Sequence, residues 1–428
     1  MDNVVLKALA ASNFAPFADK VEFTTLIDKN KKEEFMENTF TIGDEMLNKV
    51  SFIYGANGSG KSFFCKILRE IQRLILRSPL TFGNTPKRLP AQIYQELDEQ
   101  VPYFKFDLEY KNKPTSFYVD IIVDKITYHY EFSVQGKKVI YELLTKKYRR
   151  TEVLMERKSA SHKDIEVRSD LKDFANLKHS VKEDALCLAI AGVLGNQLAN
   201  NLVGAISSIG VFNMAVPEIP PAKSKDSFSS DRLERYKQVL KKAVPTLREI
   251  EVDFNEERIK HEVDADDFEN REVIATRISV GVNTKHAVYK SGEEIDRVEV
   301  NFFSDESMGT VKLFTMLPQL FDVLEGGGVL FLDEIENSLH LNLVRDIIKL
   351  FISPISNPYN AQLICTTHQP LLVDNNTRRD QVWIIEQDEF GKSIMHRLSS
   401  YSTSRAKVNL TNKLLKGAFG CNPEPFFQ

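Results

Sequence analysis

The sequence is poor in cysteine, in tryptophan and in uninterrupted apolar runs. Its four cysteines (Cys65, Cys187, Cys365 and Cys421) lie far apart among 428 residues and form no C-x-x-C pair. Neither a disulfide scaffold nor a cysteine zinc site is expected, and a reducing compartment is the natural setting. No charge of one sign dominates: 56 Lys and Arg against 60 Asp and Glu give a formal net charge of −4. That excludes a chain-wide polyanion binder and leaves room only for a local basic patch. The most apolar window, Leu186 to Phe212, is broken by Asn196, Gln197, Asn200 and Asn201. Those amides would be costly in lipid, so the window reads as a buried helix pair and no membrane contact is expected. Residues Met1 to Lys7 place no basic stretch ahead of an apolar run, so a secretion signal is not expected and the protein reads as cytoplasmic. Repeats of solenoid period and sustained heptads are also missing.

What is present suits a soluble globular protein: 42% hydrophobic and 27% charged residues, in a chain long enough for two or three domains. Val4 to Leu9 and Val21 to Phe23 read as strands flanking a turn at Asn13 to Phe17. Val50 to Tyr54 is an apolar run of strand length, followed by a glycine-rich loop and a helical pattern over Phe63 to Leu76 that ends before Pro79. Phe104 to Leu144, rich in Tyr, Phe, Val and Ile with turn signals at Asn112 to Pro114 and Gln135-Gly136, predicts an antiparallel meander. The stretch 151–300 reads as mostly helical, with Pro217 to Ser230 as a loop and Arg232 to Val244 as a basic amphipathic helix. From 301 onward, apolar strands (Val329 to Leu332, Gln362 to Thr366) alternate with helices (Val311 to Leu324, Leu339 to Phe351), and a hairpin follows over Gln381 to Leu398. The expected fold class is α/β, a mainly parallel sheet covered on both faces, with an added antiparallel meander and a helical insertion. The expected organisation is an N-terminal lobe over 1–150, an insertion over 151–300 and a C-terminal lobe over 301–428.

Four motifs carry chemistry. Gly55-Ala56-Asn57-Gly58-Ser59-Gly60-Lys61-Ser62 fits G-x-x-x-x-G-K-S/T between a strand and a helix. Backbone N–H groups of such a loop wrap phosphates at the positive end of the helix dipole. Lys61 would reach the β- and γ-phosphates, and Ser62 would ligate Mg²⁺. Some 270 residues later, Val329-Leu330-Phe331-Leu332-Asp333-Glu334 ends an apolar strand in two carboxylates. Asp333 would hold Mg²⁺, and Glu334 would orient and deprotonate an attacking water. By itself the pair could equally cap a strand. Gln362 to His368 is another apolar strand ending in a histidine able to donate to a γ-phosphate. Ser307-Met308-Gly309-Thr310 opens an apolar helix, either as a simple N-cap or as a second anion site.

This order of P-loop, distant Ser-x-Gly helix, Asp-Glu strand and Thr-His resembles the ABC-type ATPase heads of the SMC, RecF and OLD families. The resemblance narrows with Asp333 to His340, Thr367 to Leu372, Arg378 to Trp383, Gly391 to Ser393 and Lys416 to Pro423, and with Tyr130 to Phe132 beside Glu142 to Leu144. These look like the stand-alone ABC-type AAA ATPases of bacterial anti-phage operons, the group of AriA of the PARIS system, AbiL and RloA, with PtuA of Septu more distant. The resemblance implies ATP and Mg²⁺ at Gly55–Ser62, a signature at Ser307 and Gly309, a Walker B pair at Asp333 and Glu334, and a switch histidine at His368. It further implies that Asn337, Ser338 and His340 belong to the loop crossing a dimer interface, and that Asn13 and Phe14 lie near the nucleotide. Two departures stand out: Ala15 replaces a basic residue common in that turn, and no Q-loop glutamine is evident among Gln92, Gln95 and Gln100. No coiled coil separates the halves, and the 60 residues after His368 are too few for a Toprim nuclease domain, so a nuclease is expected in trans. The implied function is a slow ATPase switch of an abortive-infection system. It would form an ATP-sandwich dimer, or an assembly of dimers, that holds a separate effector, in outline a nuclease. Further candidate partners are a phage-derived trigger and DNA. The alternative is a RecF-like ATP-dependent DNA clamp, with Lys146 to Arg150, Lys237, Lys241 and Lys242 lining a groove.

Overall fold

The computed structural model describes residues 4–28, 35–80, 97–214, 228–262, 272–373 and 377–401. The expected loop around Pro217, the candidates Gln92 and Gln95, and the motif Lys416 to Pro423 lie outside the described residues.

In chain order the N-terminal strands are β1 (Val5–Ser12), β2 (Val21–Thr24), β3 (Thr39–Ile42), β4 (Glu45–Asn48) and β5 (Val50–Tyr54), followed by helix α1 (Lys61–Leu80). The meander follows as β6 (Thr115–Val123), β7 (Ile126–Gln135), β8 (Lys138–Lys147) and β9 (Thr151–Arg157), with β10 (Ile165–Val167) closing it. Then come α2 (Cys187–Val193), α3 (Gln197–Ser208), β11 (Gly210–Asn213) and α4 (Ser230–Ala243). Three long strands follow: β12 (Leu247–Glu262), β13 (Glu272–Lys290) and β14 (Glu293–Asn301). The C-terminal part holds α5 (Phe302–Asp305), α6 (Met308–Gly326), β15 (Val329–Asp333), α7 (Leu341–Ile352), β16 (Gln362–Thr367), β17 (Val382–Gln387) and β18 (Ser393–Arg397).

Two sheets dominate. One is six-stranded in the order β11-β15-β16-β5-β17-β18, parallel except for the terminal β17–β18 hairpin. The other is an antiparallel seven-stranded sheet, β10-β9-β8-β7-β6-β1-β2. Along the parallel strands, alternate side chains enter different cores, as a two-residue pleat requires. Ile53, Phe331, Ile364 and Ile385 face a core shared with the antiparallel sheet and with α1, α2 and α3. Phe52, Leu330, Leu332, Leu363 and Ile384 face the opposite core under α4, α6 and α7. The α/β, ABC-type head expected from the motifs is therefore the observed fold. Among the described residues, no helix is long and apolar enough to cross a membrane.

The organisation differs from expectation in the middle. The stretch 151–300 is not mostly helical: β9 and β10 extend the N-terminal sheet, β11 joins the parallel sheet beside β15, and β12, β13 and β14 form an antiparallel sheet of their own. The boundary at 150 thus falls inside a sheet. Strand β12 carries a short two-residue alternation, Ile250, Val252 and Phe254 packing on the core between Glu251 and Asp253, but it is embedded among charges, and β14 is exposed at nearly every position. Helix α1 also runs on through Pro79 to Leu80. Proline in the last turn removes a single helical hydrogen bond, and Ser78 fixes that turn instead, donating from Oγ to the Leu74 carbonyl at 2.7 Å and accepting from the Leu186 N–H at 2.8 Å.

The residues Tyr130 and Glu142, noted in the meander, prove to be partners. Glu142 is fully buried and accepts from the Tyr130 hydroxyl at 2.9 Å, the Cys187 N–H at 2.7 Å and the Leu188 N–H at 2.9 Å. Burial pushes its carboxyl up in pKa while Arg157 and the donors oppose that. The cluster ties α2 to the meander and leaves no buried acceptor on that carboxylate unmet.

Candidate functional site

The site lies where the parallel strands β5, β15 and β16 end side by side, the position at which open α/β sheets bind ligands. After β5 the chain enters the loop Gly55–Gly60, and α1 starts at Lys61, so its first turn points into the loop. The glycines are obligatory here for two reasons. Gly60 has φ +108°, and a Cβ on it would lie 2.8 Å from Ser393 Oγ; a Cβ on Gly55 would lie 2.5 Å from the Ile385 carbonyl oxygen. Ser393, in β18, buttresses the loop from behind: its Oγ donates to the Ser59 carbonyl at 2.6 Å and its N–H to the Pro16 carbonyl at 2.8 Å. Asn57 and Gly58 are exposed at the loop tip, Ala56 is half-buried, and Ser59 and Gly60 are buried. Lys61 is 6% exposed, and its ammonium donates to the Gly55 and Ala56 carbonyls at 2.7 and 2.8 Å. Ser62 sits half-buried at the start of α1.

Asp333 ends β15 and is buried, its Oδ1 accepting from Thr366 Oγ1 at 2.7 Å. The same threonine oxygen accepts the Glu334 N–H at 2.7 Å. One hydroxyl on the neighbouring strand thus fixes both members of the acidic pair. Glu334 takes a left-handed backbone, φ +55°, and Ser338 follows at +63°. Such conformations in non-glycine residues cost on the order of 1–3 kcal/mol and cluster at functional sites. The Glu334 carboxylate accepts from Asn337 Nδ2 at 3.0 Å. Burial together with the Asp333 charge pushes the nearby Cys65 thiol, on α1, well up in pKa, so it stays protonated and inert.

His368 lies one residue past β16 with its side chain 52% exposed. Glu336 holds it twice, Oε1 accepting the His368 backbone N–H at 2.7 Å and facing Nδ1 at 2.9 Å. With Nδ1 turned to Glu336, Nε2 is the ring nitrogen left to face a ligand. Ser307 is the N-cap of α6: its Oγ accepts the Thr310 N–H at 3.2 Å and sits 2.8 Å from the Thr310 hydroxyl. Gly309 packs against the loop after β15 so closely that a Cβ would lie 2.5 Å from the Ser338 carbonyl oxygen. Gly309→Ala is therefore expected to cost about 1–3 kcal/mol through overpacking and to abolish any association that depends on this surface. Unchanged melting temperature and unchanged association by light scattering would show that the helix and the loop do not meet.

The side chains of the N-terminal turn are held within the chain's own packing. Asn13 spends its whole amide on the chain: Nδ2 donates to the Tyr110, Lys113 and Pro114 carbonyls, and Oδ1 accepts the Phe104 N–H at 3.1 Å. Phe14 is 1% exposed and stacks edge-on against Phe117. Both side chains anchor the 104–115 loop, and Pro16 of the same turn lies beside Gly60 of the phosphate loop. His340 caps α7, accepting the Asn342 N–H at 3.2 Å, and Gln100 is exposed.

Three residues with evident roles here were not singled out by sequence reasoning: Thr366, Ser393 and Lys312. Their motifs were visible, but a threonine on an apolar strand, a serine in a hairpin and a lysine inside an apolar helix carry no signal until the neighbouring strands are in register. The residues present suit a nucleotide with Mg²⁺. The cradle excludes side chains at Gly55 and Gly60, the buried Ser59 Oγ has no partner among the described residues, and Asp333 and Ser62 offer the few oxygen ligands that Mg²⁺ takes alongside phosphate and water. No cluster of three or more His, Cys, Asp or Glu that could hold a metal by itself occurs among the described residues.

A glycine loop on a parallel strand, a buried aspartate ending the strand two places away and a helix capped by Ser307 define the class: an ABC-type P-loop ATPase fold with a nucleotide-binding site. The chain belongs to the family described as AAA domain, putative AbiEii toxin, Type IV TA system, whose model matches residues 50–179 and 218–374. Those segments contain the phosphate loop, the Ser307 helix, the acidic pair and His368. No curated protein matches the chain. Among solved structures, the SMC head domain from Thermotoga maritima is similar with a TM-score of 0.35 and 13% identity, over 92% of this chain and 98% of that one.

Proposed function

We propose that the protein is an ATP-hydrolysing switch of a bacterial anti-phage system, acting by abortive infection and holding a separate effector, in outline a nuclease. The observation that carries the ATPase part is the Thr366 clamp, which holds Asp333 and Glu334 together beside the Lys61 loop. In this reading Ser62 and Asp333 would hold Mg²⁺, which would supply positive charge against the phosphates. Lys61 and the loop N–H groups bind the β- and γ-phosphates, Glu334 takes a proton from the attacking water, and His368 donates to the γ-phosphate.

Ser307 and Gly309 serve a second subunit's nucleotide, so that two heads sandwich two ATPs. Binding ATP tightly only in the closed pair supplies the differential affinity a switch requires. The defence part is supported by the family's description as a putative toxin of a toxin–antitoxin system and by the resemblance to the AriA, AbiL and RloA group. The chain would act in the cytoplasm. Of the cations nominated for the clamp alternative, Lys146 is paired with Asp170 at 2.6 Å and Glu152 at 3.4 Å and Lys237 pairs with Glu234, while Lys147, Arg149, Arg150 and Lys242 are exposed.

The test is to tag Glu334→Gln at its native locus, purify it with ATP and Mg²⁺, and identify what accompanies it by mass spectrometry. A stoichiometric nuclease-like partner encoded nearby supports the switch. A bare dimer carrying chromosomal DNA and repair factors overturns it in favour of the clamp.

A further inference from the structure

Lys312 lies one turn into α6 and is only 3% exposed. Among the described residues no carboxylate pairs with it directly. Its ammonium donates to Asn337 Oδ1 at 2.8 Å and Ser338 Oγ at 3.0 Å, both on the loop that follows Glu334. Burial pulls its pKa down, and the charge that opposes this is Glu334. A buried ammonium held only by neutral acceptors is costly, and the arrangement around it shows what that cost accomplishes.

A lysine can only donate, so it forces the Asn337 amide to present Oδ1. The Nδ2 group must then face away from the lysine, and it donates to Glu334 Oε2 at 3.0 Å. The cation therefore fixes which way the amide lies, and the amide fixes the carboxylate. At its other end Lys312 is three residues from Gly309, whose backbone lies against the Ser338 carbonyl, and five from the N-cap Ser307. A rigid path thus runs within one subunit from the Ser307 end of α6, through Lys312 and Asn337, to Glu334.

We propose that Lys312 is a positioning residue that couples the Ser307–Gly309 end of α6 to Glu334, so that nucleotide engaged by this helix in a partner subunit sets the catalytic carboxylate of its own. The inference rests on the ATP-sandwich reading and adds to it a direction of communication between the two sites. Coupling of this kind is reciprocal in binding, so it appears as cooperativity in ATP.

The experiment compares wild type, Lys312→Met, Lys312→Arg, Asn337→Asp and the Lys312→Met/Asn337→Asp double variant in the full chain. It measures turnover, ATP binding and the Hill coefficient, with melting temperature as a check on folding. Lys312→Met is expected to lower kcat about tenfold, the scale of losing an orienting partner behind a catalytic group, with ATP affinity within about twofold and the Hill coefficient falling to 1. Lys312→Arg should restore part of both. Asn337→Asp keeps an acceptor for Lys312 but removes the donor to Glu334, and it should match Lys312→Met. The double variant should be no worse than either single one, because both act through the same amide. Additive losses, or unchanged kcat and Hill coefficient in a folded Lys312→Met, would overturn the coupling alone. If Lys312→Met does not fold, unchanged kcat in Asn337→Asp overturns it. A wild type without ATP turnover overturns the ATPase reading and the coupling together.

Discussion

Glu334→Gln should still bind ATP but lose hydrolysis by about 10²–10⁴-fold, the usual contribution of a positioned general base. The substitution is isosteric, and the surroundings of Glu334 accommodate it. Its backbone stays anchored by the N–H donated to Thr366 at 2.7 Å. The carbonyl oxygen of a glutamine can still accept from Asn337 Nδ2, now 3.0 Å from the carboxylate. The strained φ of +55° is unchanged by the replacement, so the melting temperature should stay within about 2 °C. What disappears is the acceptor for the proton of water. If ATP closes two heads face to face, a variant that binds without hydrolysing accumulates the closed species. Light scattering should then show a dimer that requires both ATP and Mg²⁺. Full turnover in Glu334→Gln would remove the residue from the catalytic role and leave the Thr366–Asp333 pair as a metal-holding device alone.

The parts of the molecule legible in the sequence are those governed by short-range rules. The loop Gly55–Ser62 declares itself because backbone wrapping demands glycine at fixed offsets, and the structure shows why at Gly55 and Gly60, where any Cβ would collide. Strands β5, β15 and β16 were readable because strands buried on both faces are continuously apolar. The strands β12, β13 and β14 were not, since their short apolar alternation at Ile250, Val252 and Phe254 is set among charges and their pairing is with one another. The site was legible in its named motifs but not in its connections. Thr366 stands 33 residues from Asp333 and Lys312 stands 25 from Asn337, and nothing local says that those side chains meet. Asn13 is another connection that local sequence does not show. A polar residue in a tight turn near a phosphate loop looks available for a ligand, yet four backbone groups around Phe104 and Tyr110 to Pro114 claim its amide.

Lys61→Met carries the other large expected effect, and it falls on binding rather than on turnover. The Lys61 ammonium is buried at the foot of α1 and is held by two carbonyls of its own loop, Gly55 at 2.7 Å and Ala56 at 2.8 Å. Those bonds keep the cation pointing back across the loop, in the direction from which β- and γ-phosphates are cradled. Hydrogen bonds to charged partners are worth about 1.5–3 kcal/mol each, and part of that is offset because the carbonyl bonds are exchanged for them. A net loss of about 3 kcal/mol corresponds to roughly 10²-fold weaker ATP. Methionine has a similar length and no charge, so the protein should remain folded with ATP affinity reduced to that extent by calorimetry. Lys61→Arg should not rescue it, because a planar guanidinium spreads its donors over a wider fork than a loop closed by Gly55 and Gly60 can admit. Loss of binding in Lys61→Met, set beside retained binding in Glu334→Gln, would separate holding the nucleotide from breaking it. Equal ATP affinity in wild type and a folded Lys61→Met would mean that the loop binds phosphate through its N–H groups and helix dipole alone.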